Sequence, residues 1–212
     1  NFTSKVAGLG RYVPEKIVTN DDLSRLMDTS HDWIVERTGI KERRFIDKNS
    51  DEGTASMGVK AAEQALERAG ISKDDVDLIV FATLSPDYYF PGSGVLVQDL
   101  MGIGTCPALD VRNQCSGFIY ALSVADQYIR TGTYKNVLVI GSEYQSGGLD
   151  LTTRGRTVSV IFGDGAGAAV LTRHDNLDEG IRSSHLHSEG KHAEELAILG
   201  PTTKKWVHEL FE

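Results

Sequence analysis

The sequence predicts an α/β fold in which a mostly parallel sheet carries helices on both faces. Strand-like and helix-like stretches alternate along most of the chain and are joined by short connections, which is the order expected of βαβ units with right-handed crossovers. The run over residues 76–82 is apolar throughout its later part, as is typical of a strand covered on both sides. Residues 54–69 carry apolar side chains at helical spacing and are followed by Gly70, a common helix stop.

The first forty residues predict one strand and two helices. Residues 6–9 form a short strand-like run, and Val13-Pro14 indicates a turn. Asn20 is the expected N-cap of the first helix, because its side-chain oxygen can accept a hydrogen bond from a free backbone amide. A second helix is expected over residues 32–37.

The helix over residues 54–69 has the clearest pattern in the sequence. Small residues dominate its apolar face, which predicts close packing on a sheet. The residues of this face are Ala55, Val59, Ala62, Ala65, Leu66 and Ala69.

Four further elements continue the alternation after the strand over residues 76–82. They are a helix over residues 93–101, a strand over 107–111, a helix from 115 or 116 to about 130, and a strand over 136–140. The helix after residue 117 is apolar nearly all round, so we expect it to be central in the fold.

The last strong pattern predicts a β-hairpin. Residues 159–162 and 166–171 are both apolar and are separated by Gly163-Asp164-Gly165, a turn-forming sequence. Beyond residue 172 the chain becomes polar and mixes histidines with acidic residues. We therefore expect two parts, a folded part over residues 1–172 and an excursion or linker over residues 173–212.

Composition excludes several classes of protein. The 212 residues are 40% hydrophobic and 25% charged, which is ordinary for a globular protein, and the formal net charge of -8 argues against a nucleic-acid binder. No apolar run approaches the ~20 residues of a membrane span, and no secretory signal is visible. The two cysteines lack disulfide or metal spacing. A cytoplasmic location is the expectation.

Cys115 is the residue whose position suggests chemistry. It lies where a predicted strand gives way to a predicted helix, so free amides and the positive end of the helix dipole would favour a thiolate there. The alternative is a small buried apolar side chain, the commonest role of a free cysteine. The residues alone leave both interpretations open for Cys115, whereas Cys106, which precedes Pro107 and no helix start, is expected to serve packing.

Three segments resemble the β-ketoacyl-acyl-carrier-protein synthase III family in order and spacing: residues 29–44 (TSHDWIVERTGIKERR), residues 110–118 around Cys115 (DVRNQCSGF) and residues 161–168 (IFGDGAGA). The resemblance implies a thiolase-like fold of two similar halves, of which this chain carries the first, with a five-stranded sheet. The segment Gly163–Gly167 lacks the ending of a phosphate-binding loop and is interpreted as structural.

The resemblance also implies roles for individual residues. Cys115 would accept an acyl group from a coenzyme A thioester, and Trp33 and Arg37 would bind the adenine end of the coenzyme. Arg156 resembles a third coenzyme contact, with Arg154 as a competing choice. Phe90 resembles a residue that reaches across a dimer to shape the acyl pocket.

The implied reaction is the condensation of the acyl group on Cys115 with malonyl-acyl-carrier-protein, which initiates fatty acid synthesis. The resemblance implies no metal and no cofactor besides the coenzyme A substrate, and it implies a homodimer. A His and an Asn are also needed, and none of the six histidines lies in a matching motif. Two alternatives therefore stay open: an acyltransferase of secondary metabolism with another acceptor, and a non-catalytic dimerising fragment. The acyl starter is not specified.

Overall fold

A computed structural model of the chain describes residues 2–198. Its helices and strands follow one another as β1 (Thr3–Tyr12), β2 (Ile17–Thr19), α1 (Asn20–Ser24), α2 (His31–Thr38), β3 (Glu42–Arg44), α3 (Thr54–Ala69), β4 (Leu78–Ala82), α4 (Ser93–Leu100), β5 (Ala108–Val111), α5 (Gly117–Arg130), β6 (Asn136–Glu143), α6 (Arg156–Ser159) and β7 (Gly165–His174). These bounds confirm the predicted alternation. Both ends of α3 agree with the prediction, including the left-handed Gly70 that ends it.

Five strands form the main sheet in the order β1-β7-β6-β4-β5. The pairs β6–β4 and β4–β5 are parallel, while β7 runs antiparallel to both β1 and β6. The sheet is therefore mixed but mostly parallel, and the predicted α/β class is confirmed. Since β4, β5 and β6 run in the same direction, their carboxyl ends lie along one edge of the sheet.

Helices cover the sheet on both faces, as its apolar strands require. Along β4, the side chains of Ile79 and Phe81 pack with α3 and α4. Leu78, Val80 and Ala82 point to the opposite face and pack with α5. This alternation within one strand places two apolar clusters on either side of the sheet.

The small residues predicted to pack closely do so. A side chain built on Gly10 of β1 would come within 1.9 Å of the Ala61 carbonyl oxygen of α3, and one on Gly8 within 2.2 Å of the Ala65 carbonyl oxygen. Because only hydrogens separate these backbones, α3 lies nearer the sheet than larger side chains would allow.

A small unit precedes α3 and has its own apolar cluster. Strands β2 and β3 pair antiparallel, and α1 and α2 lie between them in sequence. The predicted N-cap Asn20 is wrong by one residue, since Thr19 caps α1 and exchanges hydrogen bonds with Asp22. The Asn20 side chain is buried and instead donates to the Ile40 carbonyl and accepts from Arg43.

The predicted hairpin over residues 159–171 is wrong. Residues Arg156–Ser159 are helical, and β7 lies between β1 and β6 in the sheet. Asp164 does not form a hairpin turn, because its carboxylate accepts hydrogen bonds from the backbone amides of Ile46, Gln145 and Ser146. A short apolar run such as 159–162 suits a helix turn as well as a strand, and here the tertiary contacts decide.

Helix α5 is amphipathic rather than central. Its buried face includes Ala121, Ala125 and Ile129. Ile119, on another face, is 53% exposed. The expectation of a helix buried all round is therefore wrong for the described part of the chain, and an apolar flank of α5 remains open.

The described residues divide into two compact units between Arg182 and Ser183. Strand β7 continues to His174, two residues past the predicted limit of the folded part, and the predicted division at residue 172 stays a prediction. In the second unit, residues Gly190–His192 form a 3-10 turn in which His192 contacts Glu195. Within residues 2–198, no helix combines the length and the apolarity that crossing a membrane requires.

Candidate active site

Cys115 lies between the carboxyl end of β5 and the start of α5, where the sequence predicts it. It is the middle residue of a 3-10 turn, Gln114–Ser116. Its side chain is exposed and makes no disulfide. The structure therefore does not give Cys115 the role of a buried small apolar residue, which was the alternative interpretation.

The first turn of α5 lacks a side-chain cap. Ser116, at the N-cap position, makes no capping hydrogen bond, because its hydroxyl donates to the Asn113 carbonyl at 3.2 Å instead. The Gly117 amide donates to the Gln114 carbonyl, and the positive end of the helix dipole favours an anionic group at this end of α5.

The backbone turns sharply just before Cys115. Gln114 has φ of +47° and is the non-glycine residue with positive φ among residues 2–198. This left-handed conformation costs an L-residue about 1–2 kcal/mol, and surrounding structure must maintain it. It redirects the chain from β5 into α5 and leaves Cys115 at the outside of the turn.

A cavity of about 310 Å³ lies beside Cys115. Most of its wall is apolar or glycine, and its lining residues come from β4, β6, β7, the 3-10 turn and α5: Ala82, Gln114, Cys115, Phe118, Gly141, Ser142, Glu143 and Gly167. A side chain on Gly141 would meet the Phe118 ring at 3.0 Å, so the glycine keeps this cavity open. The space suits an apolar group attached to the sulfur.

Glu143 is the charged residue of the cavity wall. Its carboxylate accepts hydrogen bonds from the backbone amides of Leu84 and Ser85 and from the hydroxyls of Thr83 and Ser85. These donors belong to the turn that follows β4. Glu143 therefore connects the ends of two neighbouring strands.

Three residues predicted to bind a coenzyme lie together. The Arg37 guanidinium is 4.3 Å from the centre of the Trp33 ring, and the Arg156 guanidinium is 5.3 Å from it. Arg156 also donates a hydrogen bond to the Asp28 carbonyl. An aromatic ring in contact with two cations is a surface suited to stacking and phosphate pairing.

Arg154 is not part of this cluster. Its Nε donates to Asp150 at 2.7 Å, and its side chain is 88% exposed. Hydrogen bonds from Thr152, and then the Arg154 guanidinium, lower the pKa of Asp150 to about 2. Of the two arginines that the sequence left open, the structure places Arg156 beside Trp33.

Phe90 does not line the cavity of its own chain. It is 84% exposed and follows two further exposed aromatic residues, Tyr88 and Tyr89. The residues around the cavity do not include any of the three. The role of Phe90 in shaping an acyl pocket therefore stays a prediction, because that pocket would belong to a second chain of the dimer.

Cys106 and the histidines stand apart from the cavity. Cys106 is half-buried against the apolar cluster of α3 and α4, and burial, with a smaller effect of Asp77, raises the pKa of its thiol. No histidine of residues 2–198 lines the cavity, and His208 lies outside the described residues. In the same part of the chain, no group of three or more possible ligands is arranged to hold a metal ion.

The sequence reasoning missed Glu143 and Gln114. A signal for Glu143 was available, because polar residues follow β4, β5 and β6 where these parallel strands end at one edge. No sequence signal marks the left-handed conformation of Gln114, since this residue type seldom adopts it.

Comparison with known proteins gives a consistent picture. A family model described as 3-oxoacyl-[acyl-carrier-protein (ACP)] synthase III matches residues 109–190. A curated relative from Aliivibrio fischeri (strain ATCC 700601 / ES114), named beta-ketoacyl-acyl-carrier-protein synthase III, is 48% identical over 210 residues, which cover 97% of this chain and 64% of the relative. The chain therefore spans less than two thirds of that relative.

Solved structures agree with the sequence relatives. The 3-oxoacyl-acyl-carrier-protein synthase III from Aquifex aeolicus VF5 aligns with a TM-score of 0.78 and 45% identity over 82% of this chain and 55% of its own. The priming beta-ketosynthase of the R1128 polyketide biosynthetic pathway aligns with a TM-score of 0.77 and 36% identity, over 82% of this chain and 51% of its own. The predicted thiolase-like architecture is thereby confirmed.

Proposed function

The chain belongs to the 3-oxoacyl-acyl-carrier-protein synthase III family, and we propose that it carries the acyl-loading part of such a condensing enzyme. In this proposal, Cys115 accepts an acyl group from acyl-coenzyme A, and the whole protein then condenses it with malonyl-acyl-carrier-protein. The product, a β-ketoacyl-acyl-carrier-protein, begins fatty acid synthesis. The observation that carries the proposal is the exposed Cys115 at the uncapped start of α5, beside an open and largely apolar cavity.

The loading step is a thioester exchange. The Cys115 sulfur attacks the carbonyl carbon of acyl-coenzyme A, and the carbonyl oxygen becomes negatively charged near the amides of the first turn of α5. The bond from this carbon to the coenzyme sulfur then breaks. Free coenzyme A leaves with the proton that Cys115 lost, and the acyl group remains on Cys115 as a thioester.

The other end of the coenzyme is assigned to the cluster around Trp33. The indole ring offers a face for adenine, and Arg37 and Arg156 offer planar cations for stacking and phosphate pairing. Arg156 rather than Arg154 takes the third contact, because the Arg156 guanidinium lies 5.3 Å from the centre of the Trp33 ring. No metal or further cofactor takes part in this scheme.

Two exposed features support the proposed homodimer. Strand β5 is at the edge of the main sheet, where unpaired backbone groups can bind another strand. Phe90 and Tyr89 are more than four-fifths exposed. In a dimer, Phe90 would close the acyl pocket of the partner.

Condensation requires groups that activate malonyl-acyl-carrier-protein, and the family resemblance implies a His and an Asn. Malonyl carboxylate leaves as carbon dioxide, and the resulting carbanion attacks the acyl carbon on Cys115. This second carbon–sulfur cleavage releases the cysteine. No residue of this chain is assigned to either role.

A second candidate is an acyltransferase that primes a polyketide pathway. The similarity to the priming beta-ketosynthase of the R1128 pathway supports it. Both candidates begin with an acyl group on Cys115 and differ in the acceptor that then attacks this group. A non-catalytic dimerising fragment is the third alternative, and its thiol would acylate without any later transfer.

Product analysis of the full-length protein tests the proposal. Acyl-coenzyme A and malonyl-acyl-carrier-protein should together give β-ketoacyl-acyl-carrier-protein and carbon dioxide, and Cys115→Ala should abolish both products. Acylation of Cys115 without turnover of malonyl-acyl-carrier-protein would contradict the condensing role and favour another acceptor or the fragment.

A further inference from the structure

Glu143 places a carboxylate on the wall of the cavity that holds Cys115. It is the last residue of β6, and it lines the cavity together with Ala82 of β4. Within the described part of the chain, its charge is met by hydrogen-bond donors of the turn after β4 rather than by an ion pair. A carboxylate surrounded by donors is held in place more firmly than one paired with a single mobile cation.

The hydrogen bonds engage both oxygens of the carboxylate. The Leu84 amide lies 3.0 Å from Oε1 and 3.2 Å from Oε2, and the Ser85 amide lies 3.2 Å from Oε2. The Ser85 hydroxyl donates to Oε2 at 2.5 Å and the Thr83 hydroxyl at 3.2 Å. Glu143 therefore accepts from two backbone amides of the turn, of which the Ser85 amide also donates to the Thr83 hydroxyl at 3.1 Å.

Further hydrogen bonds tie the same turn to its surroundings. The Ser85 hydroxyl accepts from the Tyr144 amide at 2.8 Å. The Thr54 hydroxyl at the start of α3 donates to the Ser85 carbonyl at 2.5 Å. The turn thus has a defined position relative to the cavity, and Glu143 lies between the two.

Pro86 and Asp87 connect the turn to the exposed aromatic segment Tyr88–Phe90. A shift of the turn would move both the start of this segment and the end of β4. The last residue of β4, Ala82, borders the cavity. The end of β4 borders the space that an acyl chain on Cys115 can occupy, and the aromatic segment would border it in the proposed dimer.

We propose that Glu143 is a positioning residue that holds the turn over residues 83–85 and thereby limits the length of the acyl chain that Cys115 accepts. This inference rests on the proposed loading of Cys115. A purely structural role of Glu143 would lower the loading of all acyl chains together. A role in chain selection changes the ratio between long and short chains.

The test measures loading rates of Cys115 by intact-protein mass spectrometry with acetyl-, butyryl- and octanoyl-coenzyme A. Glu143→Gln keeps the size of the side chain but replaces an acceptor oxygen by an amino group, which cannot accept from the turn. We expect the ratio of octanoyl to acetyl loading to rise at least about fivefold, within the range that one wall contact contributes to selection. Ser85→Ala removes one hydrogen-bond donor and leaves the Glu143 carboxylate in place. It should raise the ratio of octanoyl to acetyl loading about twofold.

Glu63→Gln is the matched control, since Glu63 is an exposed residue of α3 and its change should leave the ratio as in the wild type. A uniform fall in loading of all three chains by Glu143→Gln and Ser85→Ala, with an unchanged ratio, overturns the role in selection. If wild-type protein is loaded by none of the three, the loading itself fails and this role fails with it. The two failures are thus distinguishable.

Discussion

The cavity edge at Cys115 and the cluster around Trp33 are built in different ways. The cavity edge is formed by β4, β6 and β7, the 3-10 turn that holds Cys115 and the start of α5, and the apolar clusters on both faces of the sheet support it. In the Trp33 cluster, Trp33 and Arg37 lie on α2 of the smaller unit, which has its own apolar cluster, and Arg156 comes from α6.

This difference suggests that the two regions would affect different steps, the cavity edge the rate of loading and the Trp33 cluster the affinity for coenzyme A. A site formed by sheet ends and backbone amides tolerates little displacement, because catalysis depends on distances of a fraction of an ångström. In the proposed function, the surface cluster of one ring and two cations would contribute binding energy without contact with the reacting atoms. Changes in the first region should reduce the rate of loading, and changes in the second should reduce affinity.

The largest effect is expected from closing the cavity. Gly141→Val places methyl groups where even a Cβ meets the Phe118 ring at 3.0 Å. We expect the loading rate to fall about 100-fold, the loss typical of misplaced reacting groups, while the affinity for coenzyme A is retained. Calorimetric titration with coenzyme A and mass-spectrometric loading rates check both parts.

Gly104→Val is the matched control, because no atom lies within 4 Å of a Cβ at Gly104. It should load at the wild-type rate. If Gly141→Val weakened coenzyme A binding as much as it slowed loading, the two regions would not be separable.

A smaller effect is expected from removing the ring of the surface cluster. Trp33→Ala should weaken coenzyme A binding about 10- to 100-fold, because both guanidinium contacts and the stacking face are lost. Acyl-pantetheine, which lacks the adenine nucleotide, should still load Cys115 at the wild-type rate. If Trp33→Ala slowed the loading of Cys115 equally with acyl-coenzyme A and with acyl-pantetheine, Trp33 would act on the loading step itself and not on binding of the nucleotide.

The smallest effect distinguishes the two neighbouring arginines. Arg156→Ala should weaken coenzyme A binding about fivefold, as expected for one exposed cation–π contact, and Arg154→Ala less than about twofold. Fluorescence titration of coenzyme A against both variants measures the difference. If Arg154→Ala weakened coenzyme A binding more than Arg156→Ala did, the coenzyme contact would belong to Arg154 instead.

The fold was largely predictable because its strongest signals are local. Periodicity and Gly70 gave both ends of α3, and the position of Cys115 followed from the strand and helix around it. The prediction of a hairpin was wrong because the short apolar run over residues 159–162 is compatible with a helix as well as with a strand. Distant contacts of Asp164 determine their conformation.

Site residues were predictable where their type alone indicates a chemical role. They were less predictable where their role depends on contacts between distant parts of the chain. Trp33 and Arg156 lie far apart in the sequence, so their proximity follows only from the tertiary fold. The network of Glu143 depends on the register of β4 with β6, which pairs Ala82 with Gly141. No local pattern specifies that register.

Mass spectrometry of the intact protein after incubation with acyl-coenzyme A alone tests the central claim most directly. The wild-type protein and Cys106→Ala should each gain a single acyl group, and Cys115→Ala should gain none. Removal of the label by hydroxylamine would identify it as a thioester. Equal labelling of Cys115→Ala and wild-type protein would contradict the claim that Cys115 is the acyl-accepting nucleophile.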